Sequence, residues 1–183
     1  MATPRPASNG SQSNAAFDIT FSAPRSVALV WAFAGPELKT AIEAAQERAA
    51  RSALRVVDRE AIWARRGKGG LTLEPVALSA GLFQHGESRP AEHKDGRIFG
   101  DPNLHTHAVV LNLATRADGS VGAIHSKILR DWKMAAGAQY HAALAHEVEA
   151  LGFVLDRLDY NGVFEIAGVE DALIRYFSAR RRE

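Results

Sequence analysis

Leu104-His105-Thr106-His107-Ala108-Val109-Val110-Leu111-Asn112-Leu113-Ala114 sets two imidazoles two residues apart and follows them with an almost unbroken apolar run. Side chains alternate faces along a strand, so residues 105–114 read as a strand carrying both rings on one side. A run that is apolar on both faces belongs to a strand covered on both sides, which predicts a central place in a sheet. His85 closes an earlier apolar stretch, 76–84, read as a neighbouring strand that could offer a third imidazole at the same level. Gly81 within that stretch hints at a bulge or a close backbone approach. Three neutral imidazoles with an open position make a Lewis-acid site able to polarise a phosphate or carbonyl oxygen. All-nitrogen ligation argues against Ca²⁺ and makes Mg²⁺ a weaker fit than Mn²⁺, Zn²⁺, Ni²⁺ or Cu²⁺. The chain has no cysteine, so His, Asp and Glu are its only ligand types. Asp101, just before this strand, is placed to orient an imidazole from behind. A His-x-His pair alone fits packed or solvated histidines equally well, and His141 and His146 read in that way, on a helix.

Outward from this strand the pattern is mixed. Phe17-Asp18-Ile19-Thr20-Phe21 alternates apolar and polar, as a half-buried strand does. Ser22 reads as the N-cap and Pro24 as the first turn of a short helix over 27–33, stopped by Gly35 and Pro36. Leu38, Ile42, Ala45, Ala49, Ala53, Val57 and Ala61 recur at helical spacing, predicting a helix over 37–65 before a turn at 67–70. Residues 86–102 read as a polar loop and 117–120 as a turn. Ala136, Tyr140, Ala143, Leu144, Val148 and Leu151 form the stripe of a long helix stopped by Gly152. Asn161-Gly162 between two short apolar runs predicts a hairpin, and a last helix spans 169–179. Residues 1–16 lack the apolar content needed to offset ordering entropy and read as a disordered tail. The remainder, 17–183, is expected to form one α+β domain, an antiparallel sheet with helices packed on it.

Composition excludes more than it assigns. A net charge of +1 carries no nucleic-acid signal by itself, although a local basic patch could still bind phosphate. No apolar run approaches a membrane span, and no secretory pattern opens the chain; both readings, with the absence of cysteine, point to a cytoplasmic location.

Several blocks carry a resemblance. Asp101-Pro102-Asn103-Leu104-His105-Thr106-His107-Ala108-Val109-Val110 resembles the histidine motif of the MobF family of conjugative relaxases, the TrwC/TraI type of HUH endonuclease. Phe17-Asp18-Ile19-Thr20-Phe21-Ser22-Ala23-Pro24-Arg25-Ser26-Val27 is similar to that family's Asp-Leu-Thr-Phe-Ser-Ala-Pro-Lys-Ser segment, with Arg25 in place of lysine. Phe83-Gln84-His85-Gly86-Glu87-Ser88-Arg89 resembles the block that supplies its first histidine. Ala136-Gly137-Ala138-Gln139-Tyr140 and Phe164-Glu165-Ile166-Ala167-Gly168 agree further downstream.

The resemblance implies a relaxase domain that nicks and rejoins single-stranded DNA at an origin of transfer during plasmid mobilisation. In such enzymes a tyrosine attacks the phosphate, leaving a 5′-phosphotyrosyl link and a free 3′-hydroxyl, and reversal reseals the strand. It implies a divalent ion on His85, His105 and His107, a carboxylate, Asp18, beside the site, and DNA-phosphate contacts from Arg25 and Arg89. Relaxosome proteins are the implied partners. The family's nucleophilic tyrosines precede the Asp-Leu-Thr-Phe block, whereas residues 1–16 contain none. The expectation is therefore a partial relaxase domain, without its first sheet strand and inactive alone. The link over residues 90–100 is longer than the family's, which leaves His93 as an alternative ligand. Two other readings compete: a module that binds single-stranded DNA or a partner without catalysis, and an unrelated metal-dependent phosphoesterase built on residues 104–107.

Overall fold

The computed structural model describes residues 14–156, 159 and 162–179, with Lys68 described by its backbone alone. Of the tail expected over 1–16, residues up to 13 lie outside the described residues, as do Asn161 of the expected hairpin and the arginines 180–182; Asn14 O and Ala15 O instead accept from Asn112, and Ala16 opens the first strand. In chain order the elements are β1 (Ala16–Ser22), α1 (Arg25–Phe33), α2 (Pro36–Ala61), β2 (Trp63–Arg66), β3 (Thr72–Pro75), β4 (Ala80–Glu87), β5 (Ala91–Glu92), β6 (Ile98–Phe99) and β7 (Pro102–Leu111). There follow β8 (Ala114–Thr115), β9 (Val121–Gly122), α3 (Ser126–Asp131), α4 (Lys133–Ala150), β10 (Leu155–Asp156), β11 (Glu165–Ile166) and α5 (Asp171–Tyr176). The architecture is α+β. No described helix is long and apolar enough to cross a membrane.

β7 lies at the centre of a three-stranded antiparallel sheet ordered β1-β7-β4. Leu104, Thr106, Ala108 and Val110 point to one face and are buried there, whereas His105, His107 and Val109 on the other are only half-buried. The expectation of cover on both sides is thereby corrected: helices pack one face of this strand, and the opposite face carries the imidazoles. The packed face rests on α2, whose Ile42, Ala45, Ala49, Ala53, Val57 and Ala61 are all buried. Its small side chains let α4 approach, which adds Ala136, Tyr140, Leu144 and Val148 to the same core. Gln46 is the one buried polar side chain of α2. It donates to Phe21 O at 3.0 Å and Thr106 Oγ1 at 3.2 Å, and accepts from the Tyr140 hydroxyl at 2.6 Å. Sheet and helix layer are thus pinned at one level.

Tertiary contacts displaced several local expectations. Ser22 does not cap α1; it stays in β1 opposite His105. The cap position is Pro24, and the orphan N–H of Ser26 is satisfied by Glu165 Oε2 at 2.8 Å, from β11. α2 ends at Ala61 and not at 65, because Trp63–Arg66 pairs with Thr72–Pro75 once Gly67, Gly69 and Gly70 close the turn at positive φ. The strand expected over 76–84 begins at Ala80 and runs on to Glu87. Asp58 Oδ1 takes the Leu78 N–H at 2.8 Å and holds the approach outside the sheet. The bulge falls at Gly86, between His85 and Glu87, while Gly81 pairs regularly with Val109. The stretch expected as a polar loop, 86–102, holds the β5–β6 hairpin. It is turned at Gly96 (φ 78°), with His93 N donating to Arg97 O at 2.8 Å.

Candidate metal centre

β1, β7 and β4 each expose one side to the open face of the sheet. In register, His105 stands between Ser22 and His85, and His107 between Thr20 and Phe83. Cross-strand partners share a face. The strand alternation that buries Leu104 and Thr106 therefore gathers three imidazoles and the side chains of Thr20 and Asp18 on the other side. His85 lies within β4, not at its end, and the bulge comes immediately after it.

The rings form a near-equilateral triangle. Centroids of His85 and His105 are 5.4 Å apart, of His85 and His107 5.4 Å, and of His105 and His107 5.0 Å. Three imidazoles bound through one nitrogen each to a tetrahedral ion at ~2.1 Å would place their centroids roughly 5 Å apart, so this spacing fits one ion. Among the described residues no three His, Asp or Glu side chains already form a coordination sphere. The triangle is a set of rings at a suitable distance, whose donor nitrogens an ion would have to gather.

Two rings are oriented from behind. His107 Nδ1 lies 2.7 Å from Asp18 Oδ2 and 3.2 Å from Thr20 Oγ1. His105 Nδ1 lies 2.7 Å from Asn103 O. An Nδ1–H donating to each oxygen leaves the lone pair on Nε2, the tautomer that a metal ligand needs. Asp18 is half-exposed, and its carboxylate lies against the His107 ring of the triangle. The third ring depends on β4. A Cβ on Gly86 would stand 2.1 Å from Trp31 Cη2, so the bulge beside His85 sits directly on the indole. Trp31 is itself anchored: Nε1–H donates to Glu43 Oε1 at 2.8 Å, and Lys39 Nζ lies 4.3 Å above the ring.

The remaining expected site residues lie elsewhere. Asp101 is buried, but the imidazole it faces is His93, with Nε2 at 3.4 Å from Oδ1, while Oδ2 accepts the Ala179 N–H at 3.0 Å. His93 is buried at 3% exposure and stacked on Phe99 at 3.6 Å, beside Tyr176 and Phe177. It belongs to a secondary aromatic core and not to the triangle. Arg25 Nη1 donates to Pro102 O at 2.6 Å, tying the start of α1 to the start of β7. Arg89 is exposed on the segment leaving β4. Tyr140 is sealed under the sheet, and burial pushes its hydroxyl well above the ordinary tyrosine range, against the opposing effect of the hydrogen bond it donates to Gln46. Tyr176 lies on α5 and donates to Asp95 Oδ2 at 2.8 Å, which also raises its pKa. Tyr160 lies outside the described residues.

Sequence reasoning passed over Thr20, Asn103, Trp31 and Gly86. Thr20 and Asn103 were within reach of the same alternation rule, each standing two residues from Asp18 or His105 on its strand. The Trp31–Gly86 contact joins positions far apart in the chain, and no local pattern signals it.

With this geometry in hand, similarity to known proteins is specific. The TrwC relaxase family model matches residues 2–183. The Multifunctional conjugation protein TraI of Escherichia coli (strain K12) is 32% identical over 177 residues, covering 90% of this chain and 9% of TraI. The structure of TrwC complexed with a 27-mer DNA comprising the recognition hairpin and the cleavage site is 35% identical, with a TM-score of 0.77, over 91% of this chain and 55% of that one. The copper-bound structure of the conjugative relaxase TrwC with oriT DNA is 34% identical, with a TM-score of 0.81, over 96% and 56%. The chain thus spans about a tenth of the curated relative and just over half of the solved ones.

Proposed function

The chain belongs to the TrwC relaxase family, and from that premise we propose that its open sheet face holds the scissile region of single-stranded origin-of-transfer DNA over a divalent ion. One observation carries this reading: three imidazoles from two paired strands at 5.0–5.4 Å, on an accessible face. The donor set fits an ion such as Zn²⁺, Ni²⁺ or Mn²⁺ better than Mg²⁺. His85, His105 and His107 would hold it through Nε2. When bound, the ion supplies Lewis-acid stabilisation of charge on a phosphate oxygen.

The other residues position. Asp18 keeps the His107 ring in its ligand tautomer, and the main-chain carbonyl of Asn103 does the same for His105. Arg89 meets DNA phosphates, and Arg25, tethered to Pro102, does so at the edge of the face. Asp101 acts at one remove, tying the start of β7 to His93 and to the backbone at Ala179. The full strand transfer needs a tyrosine oxygen to bond phosphorus as the 3′-oxygen leaves. Tyr140 is sealed in the core and Tyr176 is engaged with the β5–β6 hairpin. Residues 1–16, where the family's nucleophile would stand, hold no tyrosine, and on this reading residues 1–183 bind the DNA and the ion without forming the adduct. The setting is the cytoplasm, with relaxosome proteins as partners.

The test is an ion-and-strand titration of the 183-residue chain against single-stranded oligonucleotides tiling a candidate transfer origin. Expected are binding that tightens with Mn²⁺ or Zn²⁺ and weakens with salt, and no covalent protein–DNA band on a denaturing gel. Unchanged Mn²⁺ affinity after replacing His85, His105 and His107 by Ala would remove the metal assignment. An adduct band would overturn the inactivity.

A further inference from the structure

Phe83 is out of place for a core residue. It is 55% exposed, and its register opposite His107 puts it on the face of the three imidazoles, two residues before His85. Among the described residues it is the only Phe, Tyr or Trp on that face of the sheet. Its ring leans back along β4: Cε2 and Cζ lie 3.1 and 3.4 Å from where a side chain on Gly81 would begin. The glycine leaves room for the ring to lie along the strand with much of its surface turned to solvent.

We infer that Phe83 is a stacking platform for the nucleobase next to the phosphate held at the histidine triangle. The inference rests on the single-strand reading above and adds to it a base-contacting residue. Two strand residues span roughly 6.7 Å, so Phe83 stands one strand repeat from His85 and directly across from His107, at the rim of the triangle. An exposed phenyl ring offers a rigid apolar face to any of the four bases, so the contact holds register without reading sequence. Phosphate contacts to the ion and the arginines fix the backbone; the ring then fixes which way the neighbouring base turns.

The test uses the oligonucleotide that wild-type protein binds best in the tiling set, carrying 2-aminopurine at successive positions. Phe83→Ala, Phe83→Leu and Phe83→Trp are compared by fluorescence anisotropy and by 2-aminopurine quenching, with circular dichroism as a check on folding. Leu still covers Gly81 but has no π face, so it separates stacking from packing if the alanine variant does not fold. The expected result is quenching centred on one nucleotide in wild type and Phe83→Trp. In Phe83→Leu that quenching is lost and affinity falls roughly 5- to 150-fold, while Mn²⁺ affinity is unchanged. Wild-type affinity and quenching in Phe83→Leu would overturn the inference and leave the relaxase reading standing. Failure of wild-type protein to bind any single strand would sink both.

Discussion

At His107 a single short hydrogen bond decides what the ring can do. Asp18 Oδ2 at 2.7 Å fixes the proton on Nδ1 and leaves Nε2 as a donor atom. Asp18→Asn keeps an acceptor but removes the charge and permits the amide to turn its NH₂ toward the ring. Mn²⁺ affinity should fall about 10–100-fold by calorimetric titration, with the melting temperature of the metal-free protein barely changed. A drop of several degrees in the metal-free melting temperature would make Asp18 a folding residue. His141 behaves differently. Burial lowers its pKa, against the opposing charge of Asp159, and its Nδ1 is buried without a partner among the described residues. The unfolded chain therefore takes up this proton first as pH falls past about 6.5, and the folded state loses stability from there downward. Thermal melts between pH 7 and 5 should show a shallower decline in His141→Asn than in wild type. Parallel curves would exclude this residue as a source.

Pairing between elements sets the triangle. β7 carries two of the rings by simple alternation, but the third arrives because β4 pairs in the register that sets His85 opposite His105. The bulge at Gly86 lets the strand pass over Trp31, where no side chain fits. Gly86→Ala would drive a methyl into the indole, costing about 1–3 kcal/mol by denaturant unfolding and weakening ion binding through His85. Trp31→Leu in the same chain should restore part of both; no recovery would mean that the glycine serves another contact. Beneath the sheet, Gln46 joins α2 to β1, β7 and α4. Gln46→Leu would leave the Tyr140 hydroxyl, sealed at 1% exposure, without its acceptor. A loss of roughly 1–3 kcal/mol per orphaned group follows, read as a lower urea midpoint.

For the whole molecule, an ion held at the triangle would link binding to folding, because the unfolded chain does not hold three imidazoles together. A hundredfold excess of Zn²⁺ over its Kd should stabilise the protein by about 2.7 kcal/mol, several degrees in a domain of this size. EDTA should reverse the shift, and the His105→Ala variant should lack it. An equal shift in that variant would place the ion elsewhere. The aromatic core of His93, Phe99, Tyr176 and Phe177 adds a second packed unit, which seats the β5–β6 hairpin on α5. Asp101 ties that unit to the start of β7, so the β5–β6 hairpin and the histidine strand are mechanically joined.

Sequence alone was enough for the parts governed by short-range rules. Residue alternation placed His105 and His107 on one face, helical spacing identified α2 and α4 with their buried stripes, and the turn at 117–120 was recognisable from its residues. The family followed from ordered blocks of motif. Where local signals competed with distant partners, only the tertiary structure decided. The helical pattern through 62–65 yielded to pairing with β3, Ser22 kept its place in β1 because Glu165 satisfied the helix start, and the bulge settled at Gly86 where Trp31 lies below. Asp101 found His93 instead of the triangle for the same reason. A side chain two residues away on a strand is positioned by backbone geometry that every chain shares. One sixty residues away is positioned by packing, which exists only once the whole core has formed.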